Sequence, residues 1–441
     1  MIKNIFKIII IFILQIEAKL VILKYKPKIV AITGSVGKTS TKDAVYAAIS
    51  QFSYVRKSDK SYNSEIGLPL TILGIPNGWN NPIVWLKNIL KGLWLILMPQ
   101  KYPKWLVLEV GVGKPGDMRK TASWLTTDVV IITAIGETPA HIEFFNSRKH
   151  LIEEKSQLIN TLKKDGLLIL NADDEDVLAM KNNNKHRTIT YGFTDGSDVH
   201  CFGDSISYDD NGLPTQAGIP KGIVFRVDEG GNSFPVVIQG VFGRNHVYAS
   251  LGALALISGL KLNILNAIDS LVDYNVSPGR MKLFRGINET LIIDDTYNSS
   301  PFACIASLRT LQEVKGNGRK IVVLGDMLEL GHHTQEAHRK IGKIVKEILQ
   351  EKDILVVVGM RAKDIKEGAL EEGFKEENIF EFLDSYQAGS FIKNFLEVGD
   401  IVLVKGSQGI RMERIVEEIM LEKENKESLL VRQEPEWLEK K

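Results

Sequence analysis

Apolar residues in this chain fall more often in short unbroken blocks than in alternation. Lys28–Thr33, Trp105–Val110, Asp128–Ile135 and Gly166–Asn171 are continuous β-branched or leucine-rich runs, the pattern of strands covered on both faces in a parallel sheet. Helical patterns separate them. From about Asp198 to Gly243 the texture changes to turn residues and alternating stretches such as "IVFRV" and "FPVVIQG", which predict a small antiparallel patch on the same domain. A helical pair follows in "HVYASLGALALISGL" and "ILNAIDSLVDY". "SPGR", Ser277–Arg280, breaks the pattern. Beyond it "TLIIDDTY", "KIVVLGDM", "DILVVVGM" and "DIVLVKG" each read as a strand leading into a helix.

The expectation is therefore α/β throughout: an apolar lead helix over 1–26, a central domain over 27–276, a Rossmann-like domain over 277–425, and a charged tail over 426–441 that frays.

Two segments are more apolar than an ordinary surface element. The lead, "MIKNIFKIIIIFILQIEAKLVILKYKPK", is uninterrupted only from Ile8 to Leu14, well short of the roughly 20 residues of a spanning helix. It reads as a membrane-surface helix with Lys3, Lys7, Lys19 and Lys24 at the headgroups, as a helix packed on the body, or as a span or signal. "PIVWLKNILKGLWLILMP", Pro82–Pro99, places Lys87, Asn88 and Lys91 on one side of a helix. Leu86, Ile89, Leu90, Leu93, Trp94 and Leu97 cover much of the rest. Such a face is either buried in the core or against the lead, or is held at a membrane.

Composition narrows the function. Lys plus Arg number 55 against 54 Asp plus Glu, a balance that gives no nucleic-acid-binding surface. The two cysteines, Cys201 and Cys304, have no metal-like spacing and read as reduced thiols of a cytosolic protein.

"VAITGSVGKTSTKD" is a strand, a glycine turn and a helix start. Gly34, Ser35, Val36, Gly37, Lys38, Thr39 and Ser40 form a shortened G-x-x-G-K-T turn, with Ile32 where the longer pattern has glycine. Its backbone N–H groups and helix dipole suit an anion. Lys38 would reach nucleotide phosphates and Thr39 a Mg²⁺ ion; the plain alternative is a glycine turn needed for packing. Gly111, Gly113 and Gly116 in "EVGVGKPG" mimic a dinucleotide fingerprint, but Pro115 interrupts it. Glu109 just before them ends a strand, where a carboxylate could hold Mg²⁺ or merely meet water. His141 follows another strand and could be structural. Lys155 reads as a surface lysine. Asp294 and Asp295 end "TLIIDD", ahead of Asn298, and "VKGSQG" from Lys405 through Ser407 is a strand with a small-residue turn.

Together, "AITGSVGKTSTKDAV", "YNSEIGLPLTIL", "LVLEVGVGKPGDM", "ITAIGETPAHIEFFNSRKHLIEEKSQLI", "LLILNADD", "DDTYNSSP", "VVLGDMLELG" and "DIVLVKGSQGIRMERIV" resemble the Mur ligase family over about residues 28–418. "GDMLELG" and "VLVKGS" point to the members that add D-alanyl-D-alanine to a muramoyl peptide in cell-wall precursor synthesis.

The resemblance implies a P-loop ATPase domain followed by the Rossmann-like one, and ATP with two Mg²⁺ ions. Lys38 and Thr39 would carry the phosphates and the first metal; Glu109 and His141 would hold the second. Lys155 would be carbamylated by CO₂. Arg280 would meet the γ-phosphate, Asp295 the ribose, and Asn298 would line the nucleotide site. Asn63 would lie on the substrate side, with Lys405 and Ser407.

The chain departs from the family pattern at Asn245-His246, where His and Asn are exchanged near the adenine, at Gln408, and at Ser299–Phe302. The phosphate turn begins at Gly34, so no UDP-sugar module is expected ahead of it. The acceptor is then UDP-linked, lipid-linked at the inner face of the membrane, or presented with a partner chain that supplies the module. A folylpolyglutamate-synthase-like or other peptide-adding ligase, and a nucleotide-binding scaffold without ligase activity, are the alternatives.

Overall fold

The structure, a computed structural model, describes residues 2–58, 62–63, 65–137, 139, 141–209, 220–272 and 274–439, with only the backbone described for 2–7 and 183. Lys3 and Lys7, assigned above to headgroups, thus have side chains outside the described residues.

The first sheet has nine strands: β1 (Lys28–Thr33), β2 (Val55–Lys57), β3 (Trp105–Glu109), β4 (Thr127–Ile132), β5 (Leu162–Asn171), β6 (Arg187–Gly192), β7 (Val199–Tyr208), β8 (Pro220–Glu229) and β9 (Asn232–Gln239). Their order is β2-β3-β1-β4-β5-β6-β7-β8-β9. All pairings are parallel as far as β6–β7; β7–β8 and β8–β9 are antiparallel.

Order reverses around β1, which lies between β3 and β4, and crevices at such switch points hold ligands. The buried β1 run Ile29–Ile32 sends alternate residues to two cores. On one side α2 (Lys38–Ser50) and the helix Arg244–Gly259 pack together. On the other side lie α1 (Ile2–Tyr25), α3 (Gly67–Leu73) and α4 (Pro82–Leu97).

α1 and α4 lie against each other. Lys24 Nζ donates to the carbonyls of Leu95, Ile96 and Met98 at 3.0, 2.8 and 2.8 Å, and Tyr25 Oη to Leu95 O at 3.0 Å. Lys24 therefore closes the end of α4, where terminal carbonyls lack partners, instead of standing free. Glu17 of α1 is buried, and among the described residues neither carboxylate oxygen has a hydrogen-bond partner. It fits because α4 has glycine opposite: a Cβ on Gly92 would sit 2.1 Å from Glu17 Oε2. Asn88, placed on the polar side by the sequence pattern, turns inward and donates to Pro76 O at 2.8 Å.

The second sheet contains β10 (Lys282–Arg285), β11 (Leu291–Asp295), β12 (Lys320–Gly325), β13 (Ile354–Val358), β14 (Ile379–Phe382) and β15 (Ile401–Lys405). Their order is β10-β11-β15-β12-β13-β14, parallel except for the β10 edge. The described part of the tail, through Glu439, packs on the second domain. Leu430, Val431 and Arg432 are buried, and Arg432 donates to Glu413 Oε2 at 2.7 Å and to Thr296 O at 2.6 Å. Charged residues there are drawn in by a buried carboxylate and free carbonyls. Cys201 and Cys304 are free and buried, and burial pushes each thiol up to about 12.

Candidate active site

The strand ends of the two sheets face a common cleft of about 810 Å³. One lip carries the turn after β1, the β3 end, His141 and Lys155. The other carries Asp295, Asn298, Glu329, Lys405 and Ser407, and Trp437 of the tail closes part of the wall.

The turn after β1 needs its glycines. Gly34 has φ +144° and Gly37 φ +84°, and a Cβ on Gly34 would meet Thr133 Oγ1 at 2.0 Å. The amides of Ser35 and Val36 both donate to Ala134 O, at 2.8 and 3.1 Å, so they pin the turn to the exit of β4. The anion-facing donors are then the first N–H groups of α2, which have no intrahelical acceptor.

Amines crowd this lip. Lys38 Nζ donates to Gly34 O at 2.9 Å and Ser35 O at 3.1 Å, and buried Lys155 Nζ donates to the same Gly34 O at 2.9 Å. Desolvation lowers Lys38 to about 8, Glu109 opposing it. Burial, aided by the Lys38 charge, pushes Lys155 well below the usual lysine range, so the neutral amine is favoured there. Lys42, also buried, lies 4.0 Å from Glu109 and donates to Ser58 O at 3.0 Å.

Two buried carboxylates lie among them, Asp43, 3.8 Å from Lys42 Nζ, and Glu109; the second faces the cleft. Glu109 Oε2 accepts from Thr39 Oγ1 at 3.0 Å and its Oε1 from Asn63 Nδ2 at 3.2 Å. Arg280 Nη2 donates to Thr39 Oγ1 at 2.9 Å, with the guanidinium 3.8 Å above the Tyr297 ring. The preceding Ser277 donates from Oγ to Asp43 Oδ2 at 2.6 Å, which fastens the interdomain segment to α2. A hydroxyl beside a carboxylate suits Mg²⁺, which takes a few protein oxygens and completes its shell with water and phosphate. Thr39 and Glu109 therefore fit one ion.

The second ion is not prepared in the same way. His141 lines the cleft, but its Nδ1 lies 2.6 Å from Glu329 Oε2 of the other lip instead of meeting Glu109. Among the described residues no group of three or more His, Cys, Asp and Glu side chains gathers.

Several other expected contacts are taken up inside the protein. Both ring nitrogens of His246 are engaged, Nδ1 with Tyr274 Oη at 2.9 Å and Nε2 with Arg280 O at 2.7 Å. It supports Arg280 and has no ring nitrogen left for a nucleotide; Asn245, one residue earlier, lines the cleft. Asp295 Oδ2 accepts from Lys405 Nζ and from Ser307 Oγ, each at 2.6 Å. Lys405 also donates to Asn298 O at 2.9 Å, so ribose and substrate would have to compete with this pair. Ser407 Oγ accepts from Leu328 N at 2.9 Å and donates to Ser299 O at 3.3 Å.

Lys42, Asp43 and Trp437 were not singled out from the sequence. A lysine one turn beyond Lys38 and Thr39 on a helix was the only available signal for Lys42.

The fold and cleft define a two-domain α/β enzyme that receives an anionic nucleotide at a switch-point helix. Residues 87–257 match the family description "Mur ligase middle domain", and residues 279–408 match "Mur ligase, glutamate ligase domain". The chain belongs to the Mur ligase family and is an ATP-dependent ligase that forms amide bonds.

A UDP-N-acetylmuramoyl-tripeptide–D-alanyl-D-alanine ligase from Bacillus subtilis is 28% identical over 92% of this chain and 79% of its own length. The crystal structure of MurF ligase from Thermotoga maritima in complex with ADP superposes with a TM-score of 0.74 at 25% identity, covering 92% of this chain and 83% of that one. A folylpolyglutamate synthase from Mycobacterium tuberculosis, complexed with ADP and AMPPCP, gives a TM-score of 0.63 at 15% identity over 91% and 94%. That likeness is one of fold.

Proposed function

We propose that this ligase joins D-alanyl-D-alanine to the carboxylate of a muramoyl-tripeptide in peptidoglycan precursor synthesis. The proposed setting is the cytoplasmic side of the membrane, where ATP is supplied. The observation that carries the reading is the convergence of Lys38, Lys155 and Arg280 on the turn after β1, beside the Thr39 hydroxyl and the Glu109 carboxylate. Lys38, Arg280 and the first N–H groups of α2 would meet the phosphates of a nucleotide there.

In the first step the acceptor carboxylate attacks the γ-phosphorus, and acyl phosphate and ADP form. In the second the amine attacks the acyl carbon, phosphate leaves, and the amine loses a proton. Lys38 leaves its carbonyl partners to meet the charge that builds on the moving phosphoryl group. Arg280, held by His246 through its own backbone, steadies the same charge from the interdomain segment. Mg²⁺ on Thr39 and Glu109 supplies further charge neutralisation and alignment when bound. Closure of the second lip excludes water from the acyl phosphate.

Lys155 is carbamylated in this reading: its neutral amine adds to CO₂, an N–C bond forms, and a proton departs. Burial supports this by holding the amine neutral, and the product anion would lie among cations. Labelling with ¹³C-bicarbonate should give a carbamate resonance that Lys155→Arg removes, and that variant should be nearly inactive. Full activity in Lys155→Arg, with no resonance in the parent protein, rules the role out. The overall reaction is tested by mass detection of the amide product from a muramoyl-tripeptide, D-alanyl-D-alanine and ATP; phosphate release without amide would defeat it.

A further inference from the structure

The outer surface of the α1–α4 pair plays no part in the chemistry above. Both helices are apolar on two sides. Ile10, Leu14, Ala18 and Val21 of α1 and Trp85 and Leu95 of α4 face the body and are buried. On the opposite side Ile8, Phe12, Ile16 and Leu23 of α1 are 42–69% exposed, and Ile83, Leu86, Leu90 and Trp94 of α4 are 55–63% exposed. Both helices pack on the same side of the first sheet and against each other, so these rows form one continuous apolar surface. Single exposed apolar residues are ordinary; two adjacent helices bearing whole rows of them mark an interaction surface.

The charge around this face names the occupant. Residues 1–28 and 75–104 contain ten lysines and one acid. That acid is Glu17, which is buried between the helices. The rest of the chain has 45 basic against 53 acidic residues, so the positive charge of an otherwise acidic protein is gathered here. Lys19, Lys87, Lys91 and Lys101 are exposed. Trp79 and Trp94 are 42% and 55% exposed, the residue type that prefers the level of lipid headgroups. Apolar rows, tryptophans and lysines without an exposed acid match a bilayer surface rich in anionic lipid. A second copy would bring the same lysines together and repel. Among the described residues no helix is long and apolar enough to cross a membrane, so the pair would lie in the interface.

We infer that the α1–α4 face is a docking surface for an anionic lipid bilayer. Ile11 of α1 lines the cleft together with Asn63 and Ile66, so docking sets this wall of the cleft beside the headgroups. The inference stands independently of the ligase reading.

Deleting α1 would strip Ile10, Leu14, Ala18 and Val21 from the core, so the test uses exposed positions. The full chain is sedimented with vesicles of phosphatidylcholine and phosphatidylglycerol at 3:1, and with phosphatidylcholine alone. The expected result is binding to the anionic vesicles that weakens at least about tenfold on neutral ones, because each lysine near such a surface contributes appreciably. Phe12→Glu with Leu90→Glu should weaken it at least about tenfold. Thermal melting and turnover with a soluble acceptor should be retained, which separates loss of docking from loss of fold or ligation. Lys87→Gln with Lys91→Gln should weaken only binding to the anionic vesicles. A chain that stays in the supernatant with both vesicle types overturns the inference, as does a double Glu variant that binds like the parent. Sedimentation velocity that shows a dimer abolished by the double Glu variant would assign the face to a second copy and overturn it equally.

Discussion

The two lips of the cleft treat their charged side chains differently. On the first-domain lip Lys42 lies between Asp43 at 3.8 Å and Glu109 at 4.0 Å, while Lys38 and the neutral amine of Lys155 turn to the Gly34 carbonyl and Arg280 to the Thr39 hydroxyl. On the second-domain side three short ion pairs recur: Asp295 with Lys405 at 2.6 Å, and Glu413 with Arg432 at 2.7 Å and Arg411 at 2.5 Å. A buried charge without a partner is costly unless a ligand supplies one, whereas a paired buried charge fixes structure. The first lip is thus built to receive, and the second to hold its own shape and close.

The sharpest way to break this contrast is Asp295→Ala. Leaving Lys405 buried beside a missing carboxylate should cost about 3–5 kcal/mol of stability, read by urea denaturation; a change under about 1 kcal/mol would mean the pair is not structural. On the other lip Lys38→Ala should do the reverse. It should leave stability within about 0.5 kcal/mol and lower kcat by at least about 10²-fold, the scale for one lost electrostatic stabiliser. Near-normal turnover would place the phosphate site elsewhere.

A pH series sharpens the comparison further. With Lys38 at about 8 in the free protein and raised once phosphate is bound, ATP affinity should be flat below pH 8. It should fall up to about tenfold per pH unit above, because only the protonated amine attracts the nucleotide. Calorimetry on Lys38→Met should show a profile without this bend; an unchanged bend would assign it to another group. The smallest effect is expected where the lips touch. His141 and Glu329 are 37% and 41% exposed, so Glu329→Gln should shift stability by less than about 1 kcal/mol. A larger loss would show that the contact latches the domains.

The long parallel strands were legible because burial on both faces leaves unbroken apolar runs. β2 and β6 were not: "VRK" is three residues long and "RTITYG" alternates polar with apolar. β14, with only "IFEF", was too short to stand out. In the site, the turn at Gly34–Ser40 and Glu109 could be read because strand ends of such sheets mark the ligand edge. Lys42 and Asp43 could not, since their role depends on how α2 is turned toward β2 and β3. Arg432 and Trp437 were hidden in a tail whose partners lie more than a hundred residues away or near Glu413. The support that His246 gives to the Arg280 backbone was not legible, because a histidine near a nucleotide edge and one supporting an arginine backbone look alike in a sequence.

The Glu17–Gly92 contact makes the seating of the lead helix a proton-uptake reaction. Burial raises this carboxyl from its ordinary value of 4.5 to about 7. Below about pH 4.5 it is protonated whether or not α1 is docked, and burial carries no ionic penalty. Between there and about pH 7 the docked helix holds a proton that the undocked helix has released, so docking weakens steadily as pH rises. Above about 7 the penalty is complete and constant. In mildly alkaline solution α1 is therefore seated on apolar contact and the Lys24 and Tyr25 bonds, against the charge of one buried carboxylate.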